Sequence, residues 1–254
     1  MTLANFGLPV AIEKYDPQHL FPPSHWVFLD IMSRRTAYGL IWLGRYHQQS
    51  CVIKMIMLTT GYHYDKNTQE YRTPEDHKIS EETVAQYFGH NEHKPFYHQD
   101  FRHRRSMTPA AFLAELKELA SLGEKGMAPK VYAYGFERTH PIHYAFIVMQ
   151  KVDCSLKDIY LHRDLHHSEG KIIKEAIRSL HEDHGIIHGD LKPSNIGVFM
   201  SPASRVIKAC FFDCQKVRHR SACTPETFQR LCQHEANNYR KHIIKNQNER
   251  NISR

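Results

Sequence analysis

The chain has 254 residues and a mass of 29.8 kDa, with 41% hydrophobic and 24% charged residues, which implies one large domain or two small lobes and excludes global disorder. Its longest uninterrupted apolar run, Tyr144–Met149, is six residues, and the N-terminus lacks the basic start and apolar stretch of a secretory signal, so membrane and secreted classes are not expected. The formal charge of +7 is concentrated from Lys216 onwards, where nine Lys/Arg face three Asp/Glu. Six cysteines without a signal sequence point to reduced thiols in an intracellular protein, cytoplasmic or nuclear.

In chain order, residues 1–25 read as an N-terminal extension. The apolar segments 26–32, 39–46 and 51–57 then read as strands joined by short polar turns. Residues 59–108 are rich in His, Tyr and charge, with little apolar periodicity, and are expected to be a long insertion or mobile loop. Thr108 and Pro109 open a helix over 109–122, with Phe112, Leu116, Leu119 and Leu122 on one face and Gly123 as its stop. Strands are expected at 130–136 and 143–150. Ser168 is the expected cap of a helix whose stripe is Ile172, Ile173, Ala176, Ile177 and Leu180, ending at Gly185. Short strands at 195–200 and 206–212 precede a last amphipathic helix capped by Thr224-Pro225-Glu226, carrying Phe228, Leu231, Tyr239 and Ile243. The pattern is α+β with two unequal lobes.

The most specific segment is IIHGDLKPSNIGVF, residues 186–199, which places Asp190, Lys192 and Asn195 between a helix and an apolar strand. Eighteen residues after Asn195, Asp213 follows another apolar strand. Phosphoryl transfer asks for these residue types: a carboxylate to orient the attacking hydroxyl, a lysine against phosphate charge, and an amide with a carboxylate for Mg²⁺.

With these residues the sequence resembles the protein kinase-like superfamily from about Trp26 to Val217, its pieces in the expected order. The resemblance implies a bilobal fold, with a β-rich N-lobe over 26–150 and a shortened, mostly helical C-lobe over 151–254. It implies ATP and Mg²⁺ as cofactors and a protein substrate or partner of unknown identity. Val52-Ile53-Lys54 resembles the strand bearing the phosphate-binding lysine, and helix 109–122 resembles the regulatory helix. Glu115 is preferred to Glu118 as the partner of Lys54, because apolar residues follow Glu115 at Leu116, Leu119 and Leu122. Met149 takes the gatekeeper position, with Gln150 and Val152 as hinge residues toward adenine and Gly39 as the last glycine of the phosphate loop. By the same resemblance Asp190 is the catalytic base, Lys192 the γ-phosphate lysine, and Asn195 and Asp213 the metal ligands.

The sequence also departs from that family. Arg34 and Thr36 occupy the first two glycine positions of the phosphate loop, so backbone approach to phosphate is restricted. Gly189 stands where regulated kinases carry an arginine, which implies no phosphorylation switch; the same H-G-D form occurs in other small kinases. Cys214-Gln215 replaces Phe-Gly after Asp213, and only 41 residues follow that aspartate, so the usual protein-docking platform is expected to be minimal.

Three functions are therefore carried forward. The first is an ATP- and Mg²⁺-dependent phosphotransferase, acting on a Ser/Thr hydroxyl or as an ATPase. The second is a pseudokinase serving as a nucleotide- or partner-binding module. The third is a nucleic-acid-associated factor whose basic tail meets RNA or an acidic partner; against it, Arg240, Lys241 and Lys245 are spread around their helix rather than along a stripe. The aromatic and basic segment 91–109 suits RNA stacking, partner docking or simple packing through Phe96 and Phe101. Cys210, Cys214, His219, Cys223, Cys232 and His234 lack zinc-module spacing.

Overall fold

Near-continuous apolar runs along the central strands give a sheet two apolar faces, and each face is covered by a different element. In the computed structural model, residues 13–15, 26–33, 39–83, 105–138 and 141–252 are described. The chain divides into two units, one comprising residues 1–117 and 131–151, the other 118–130 and 152–254. Among the described residues no helix is long and apolar enough to cross a membrane.

The first unit is organised on a six-stranded sheet in the order β1-β8-β9-β4-β3-β2. Its strands are β1 (Glu13–Tyr15), β2 (Trp26–Ser33), β3 (Gly39–Tyr46), β4 (Gln49–Met57), β8 (Val131–Glu137) and β9 (Tyr144–Gln150). The short β1 pairs parallel with β8 and the other neighbours are antiparallel. The stretch read as an N-terminal extension thus contributes an edge strand. Arg34 and Thr36, which by the resemblance take glycine positions of a phosphate loop, lie outside the described residues.

Of the segment 59–108, expected to be a long insertion or mobile loop, the first part is ordered as an insertion with its own strands. These form a three-stranded antiparallel sheet, β5 (His63–Asp65), β6 (Glu70–Arg72) and β7 (Lys78–Ile79). Tyr71 is buried in one cluster with Cys51, Ile53, Met55 and Met57 of β4, with Tyr62, Tyr64 and Ile79 packed around it. This small sheet covers one apolar face of the large one, which water would otherwise wet. Helical or alternating periodicity was weak here because tyrosines supply the apolar area while charged residues hold the turns. Arg72 bonds Glu70 and Asp76 at 3.0 Å each. Residues 105–107 then return beside β4, through Met107 N–H to the Met57 carbonyl at 2.8 Å. Phe96 and Phe101 lie outside the described residues.

The opposite face receives α1 (Pro109–Glu124). Thr108 caps it by accepting the Ala111 N–H at 3.2 Å, and Phe112 meets Phe136 of β8 edge-on at 5.2 Å between centroids. The helix runs past its expected stop at Gly123, and the chain turns instead at Gly126, whose φ is +70°. The division between the units passes through this helix, with residues from Glu118 onward belonging to the second.

The second unit holds three helices, α2 (Leu156–His162), α3 (His167–Glu182) and α4 (Pro225–Ile252). It also holds the sheet formed by β10 (Cys154–Ser155), β12 (Ile196–Met200) and β13 (Val206–Phe211), and the pair β11 (Ile186–Ile187) and β14 (Arg218–His219). Helix α2 was not anticipated, although its S-x-x-D capping box is present in the sequence: Ser155 Oγ accepts the Asp158 N–H and Asp158 accepts the Ser155 N–H. Helix α3 starts before Ser168, with His166 at the cap position. The reason is Glu169, which from the third helical position accepts the His166 N–H at 2.8 Å, two bonds from Arg163 at 2.7 and 2.8 Å, and the Val206 N–H at 2.9 Å. A buried carboxylate that accepts four hydrogen bonds outweighs a solvent-exposed serine cap. Helix α4 follows the cap expected at Thr224, which accepts the Thr227 N–H at 3.2 Å. It buries Phe228 and Tyr239, the latter hydrogen-bonded to Tyr160 of α2.

Candidate active site

Strand register determines what lies beside Lys54. In β4 it faces Ile41 of β3 and Ile147 of β9, while the neighbouring pairs on the same face are Gly39 with Ile56 and Val52 with Met149. Because paired residues share a face and alternate along a strand, Gly39, Lys54 and Met149 lie on one side of the sheet. Gln150, paired with Cys51, lies on the other. Gly39 has no room for a side chain, since a Cβ there would collide with the Met55 carbonyl.

Lys54 Nζ reaches Glu115 Oε1 of α1 at 2.5 Å, and Glu115 is buried. Burying this pair costs solvation on both partners, so its presence is better explained by a role than by stability. Glu118, the other candidate, is engaged elsewhere: within the second unit its Oε2 accepts a bond from His219 Nε2 at 2.9 Å. Met149 is buried; Val152, also buried, begins the second unit.

In the second unit the register of one hairpin brings two distant sequence positions together. Ile196 of β12 pairs with Phe211 of β13, so Asn195 and Phe212 meet at the hairpin's open end, where the Phe212 N–H donates to the Asn195 carbonyl at 3.0 Å. Asp213 is the next residue and adopts a left-handed backbone, φ 62° and ψ 55°. Aspartate tolerates that conformation better than most residues, and such backbone is concentrated at functional sites.

The loop from β11 to β12 carries the remaining groups. Lys192 Nζ lies 2.7 Å from Asp190 Oδ2. The Asn195 side-chain amide donates to the Asp190 main-chain carbonyl at 2.9 Å and to its carboxylate at 3.3 Å. Partial burial pushes the Asp190 carboxyl upward, but the Lys192 ammonium, the charge of Lys216 and the Asn195 amide outweigh it and hold the group below its ordinary value of 3.8. Asp190 is therefore a carboxylate at neutral pH, suited to orienting a hydroxyl and accepting a hydrogen bond from it.

His188 is fully buried and its proton can be assigned. Nε2 faces the Phe212 carbonyl at 2.8 Å, so it donates; Nδ1 accepts the Asp190 N–H at 3.3 Å. Burial holds its pKa below 6.5 despite the Phe212 carbonyl and the nearby carboxylates, which keeps the ring neutral. His188 thus ties the residue before Asp213 to the backbone of Asp190. Gly189 is explained by geometry: its φ is +79°, and a side chain there would strike the Lys216 carbonyl.

One site residue escaped the sequence reading. Glu235 of α4 is buried; its Oε1 accepts the Gly189 N–H at 2.6 Å, and its Oε2 accepts the His188 N–H at 3.2 Å and a bond from His181 Nε2 at 2.8 Å. No local pattern marked it. A lone glutamate on a basic helix reads as one more solvated charge, although its place among Phe228, Leu231 and Tyr239 at helical spacing was visible.

Asn195 and Asp213 suit a hard cation. The Asn195 amide nitrogen is used within the loop, and carboxylate with amide oxygen is the donor chemistry of Mg²⁺. Among the described residues no group of three or more His, Cys, Asp or Glu side chains is placed to hold a metal by itself. Mg²⁺ in phosphoryl transfer does not need such a cage, since substrate phosphates and water complete its shell.

A strand lysine paired with a helix glutamate, and an Asp-Lys-Asn loop joined to a strand-end aspartate, define a kinase-like phosphotransferase of the protein kinase-like superfamily, on an α+β fold with a β-rich N-terminal part. More particularly, the family model described as lipopolysaccharide kinase (Kdo/WaaP) family matches residues 64–247, and the chain belongs to that family. The match takes in Glu115, Asp190, Lys192, Asn195 and Asp213 and begins after Lys54. No curated protein matches the chain.

Proposed function

We propose that this chain transfers the γ-phosphoryl group of ATP, with Mg²⁺, to a hydroxyl of a carbohydrate acceptor. The observation that carries the reading is the Asp190–Lys192–Asn195 cluster, tied to Asp213 through the Phe212 N–H on the Asn195 carbonyl. The family's name supports a carbohydrate acceptor in preference to a Ser/Thr side chain. Asp190 aligns the acceptor hydroxyl and takes its proton. The acceptor oxygen forms a new bond to the γ-phosphorus as the bond from that phosphorus to the ADP oxygen breaks. Lys192 balances the charge that spreads over the moving group. Asn195 and Asp213 would hold Mg²⁺, which neutralises the phosphates. Lys54, positioned by Glu115, steadies the phosphates of the nucleotide, with Gly39, Met149 and the backbone groups of Gln150 and Val152 as the nucleotide's further contacts.

The test is transfer of label from γ-³²P-ATP with Mg²⁺ to a lipopolysaccharide core preparation and, separately, to a mixture of Ser/Thr peptides. Label is expected on the carbohydrate, with Asp190→Asn lowering kcat by about 10²–10⁴-fold. Label on peptides alone would overturn the carbohydrate reading. Equal activity of the variant would overturn the assignment of Asp190. Nucleotide bound without any turnover would establish the binding-module reading instead.

A further inference from the structure

The residue before Asp213 carries an aromatic ring that the proposed reaction does not use. Phe212 is clamped through its main chain on both sides: its N–H donates to the Asn195 carbonyl at 3.0 Å, and its carbonyl accepts from His188 Nε2 at 2.8 Å. With the backbone held by the loop that carries Asp190 and Asn195, the ring has a defined place. It lies against Gly197 of β12, where an added Cβ would collide with the ring at Cε1 and Cζ. Gly197 is buried and Phe212 half-buried, so the ring covers the strand and keeps part of its own surface open. Glycine inside a strand marks a place where another group approaches closely, and here that group is the Phe212 ring.

Strand β12 leads from the phosphate end of the proposed site to its base end. Asn195 precedes the strand, with Asp213 next to Phe212. Three residues beyond Asn195, about 10 Å along a strand, the Val198 carbonyl accepts the Asp153 N–H at 3.0 Å. Asp153 follows Val152, the residue expected at adenine, and Ser155 of β10 pairs with Gly197 itself. Gly197 therefore stands between the metal ligands and the segment that starts at Val152, all within the second unit. The ring that rests on it is apolar and flat, at the level where a nucleotide's base follows its phosphates.

We infer that Phe212 is the platform for the base of the nucleotide, which stacks on the ring where Gly197 has given up a side chain. This role rests on the phosphotransfer reading and deepens it, because it names the group that binds the base in addition to those that hold the phosphates. An aromatic face recognises the π-face of any base and none of its hydrogen-bonding edges. Phe212 thus favours a nucleotide over a bare polyphosphate and by itself accepts adenine and guanine alike.

The experiment is isothermal titration of the full chain with Mg·ATP, Mg·GTP and Mg·tripolyphosphate, the last a probe without a base. Phe212→Leu keeps an apolar side chain but no π-face, and is expected to weaken both nucleotides about tenfold while leaving Mg·tripolyphosphate unchanged. Phe212→Tyr should retain the wild-type affinities. Gly197→Ala displaces the ring and should weaken Mg·ATP in the otherwise wild-type chain, but add nothing in the Phe212→Ala background. A cooperative melting curve shows that each variant is folded, and the Leu and Tyr substitutions decide the matter if Gly197→Ala does not fold. Wild-type nucleotide affinity in Phe212→Leu overturns the platform. An equal loss of Mg·tripolyphosphate affinity also overturns it, by assigning the effect to a displaced Asp213. Base-dependent affinity that follows Phe212 in a chain that transfers no label overturns the phosphotransfer reading alone. Label transfer with unchanged nucleotide affinity in Phe212→Leu overturns the platform alone, and a wild-type chain that does not bind Mg·ATP overturns both.

Discussion

His188 shows how one buried ring can organise a loop whose charged members are what the chemistry uses. Its Nε2–H holds the Phe212 carbonyl and its Nδ1 holds the Asp190 N–H, so protonating Nδ1 would remove the acceptor that Asp190 needs. The sign follows from burial, which depresses the pKa below 6.5 in the folded chain. Above that value folded and unfolded forms are both neutral; below it the unfolded chain takes up a proton that the folded one refuses. Stability is thus present at neutral pH and lost as pH falls from 6.5 toward the lower folded value. In a ¹⁵N–¹H correlation of the imidazoles, His188 should keep the neutral Nε2–H pattern to a lower pH than the exposed histidines do. Titration of this ring at the ordinary value would contradict the assignment.

At the scale of elements, α4 is a structural part of the loop it packs on. The sequence presents it as a basic tail, but its Phe228 and Tyr239 are buried and its Glu235 holds the backbone of His188 and Gly189. Replacing Glu235 by Ala leaves the buried His188 N–H, the Gly189 N–H and His181 without their acceptor. We expect a loss of about 3–5 kcal/mol in urea unfolding, with kcat falling more than the KM for ATP rises, since the loop rather than the nucleotide is displaced. Glu235→Gln conserves shape but turns an N–H toward one of the same donors, so it should be intermediate in stability while still impaired in kcat. Unchanged stability and rate in the alanine variant would remove Glu235 from the site. The inserted β5–β7 sheet illustrates the same scale in the first unit, where tyrosines cover an apolar sheet face that the strand pattern alone leaves bare.

For the whole molecule, the residues proposed to act together are distributed over two units, Lys54 and Glu115 in one, Asp190, Lys192, Asn195 and Asp213 in the other. Variants in either unit can be tested by the same measurement, because a ligand of the folded state stabilises it by RT ln(1 + [L]/Kd). At a concentration of Mg·ATP about 100 times its Kd the gain is about 2.7 kcal/mol, to be read as a rise in Tm. Lys54→Ala and Asp213→Asn should each reduce that rise at fixed nucleotide, and omission of Mg²⁺ should reduce it for the wild type more than for Asp213→Asn. Equal shifts in all three proteins would separate nucleotide binding from these residues.

The sequence by itself nominated the candidate chemistry-bearing side chains and determined most of the elements that hold them. Short motifs such as His188-Gly189-Asp190 with Lys192 and Asn195 are local, and the near-continuous apolar runs of β3, β4 and β9 are a local signal of strands buried on both faces. It also contained the S-x-x-D box of α2, legible once a helix is looked for there. What only the tertiary structure decided was which charge meets which. Glu115 and Glu118 are three residues apart on one helix, yet one meets Lys54 and the other His219. Glu169 displaced the expected serine cap through partners at Arg163 and Val206, and Glu235 became the anchor of a loop more than forty residues before it. The physical reason is common to all three: a carboxylate's place is set by the donors that surround it after folding, and burial raises the cost of any arrangement that leaves those donors unpaired.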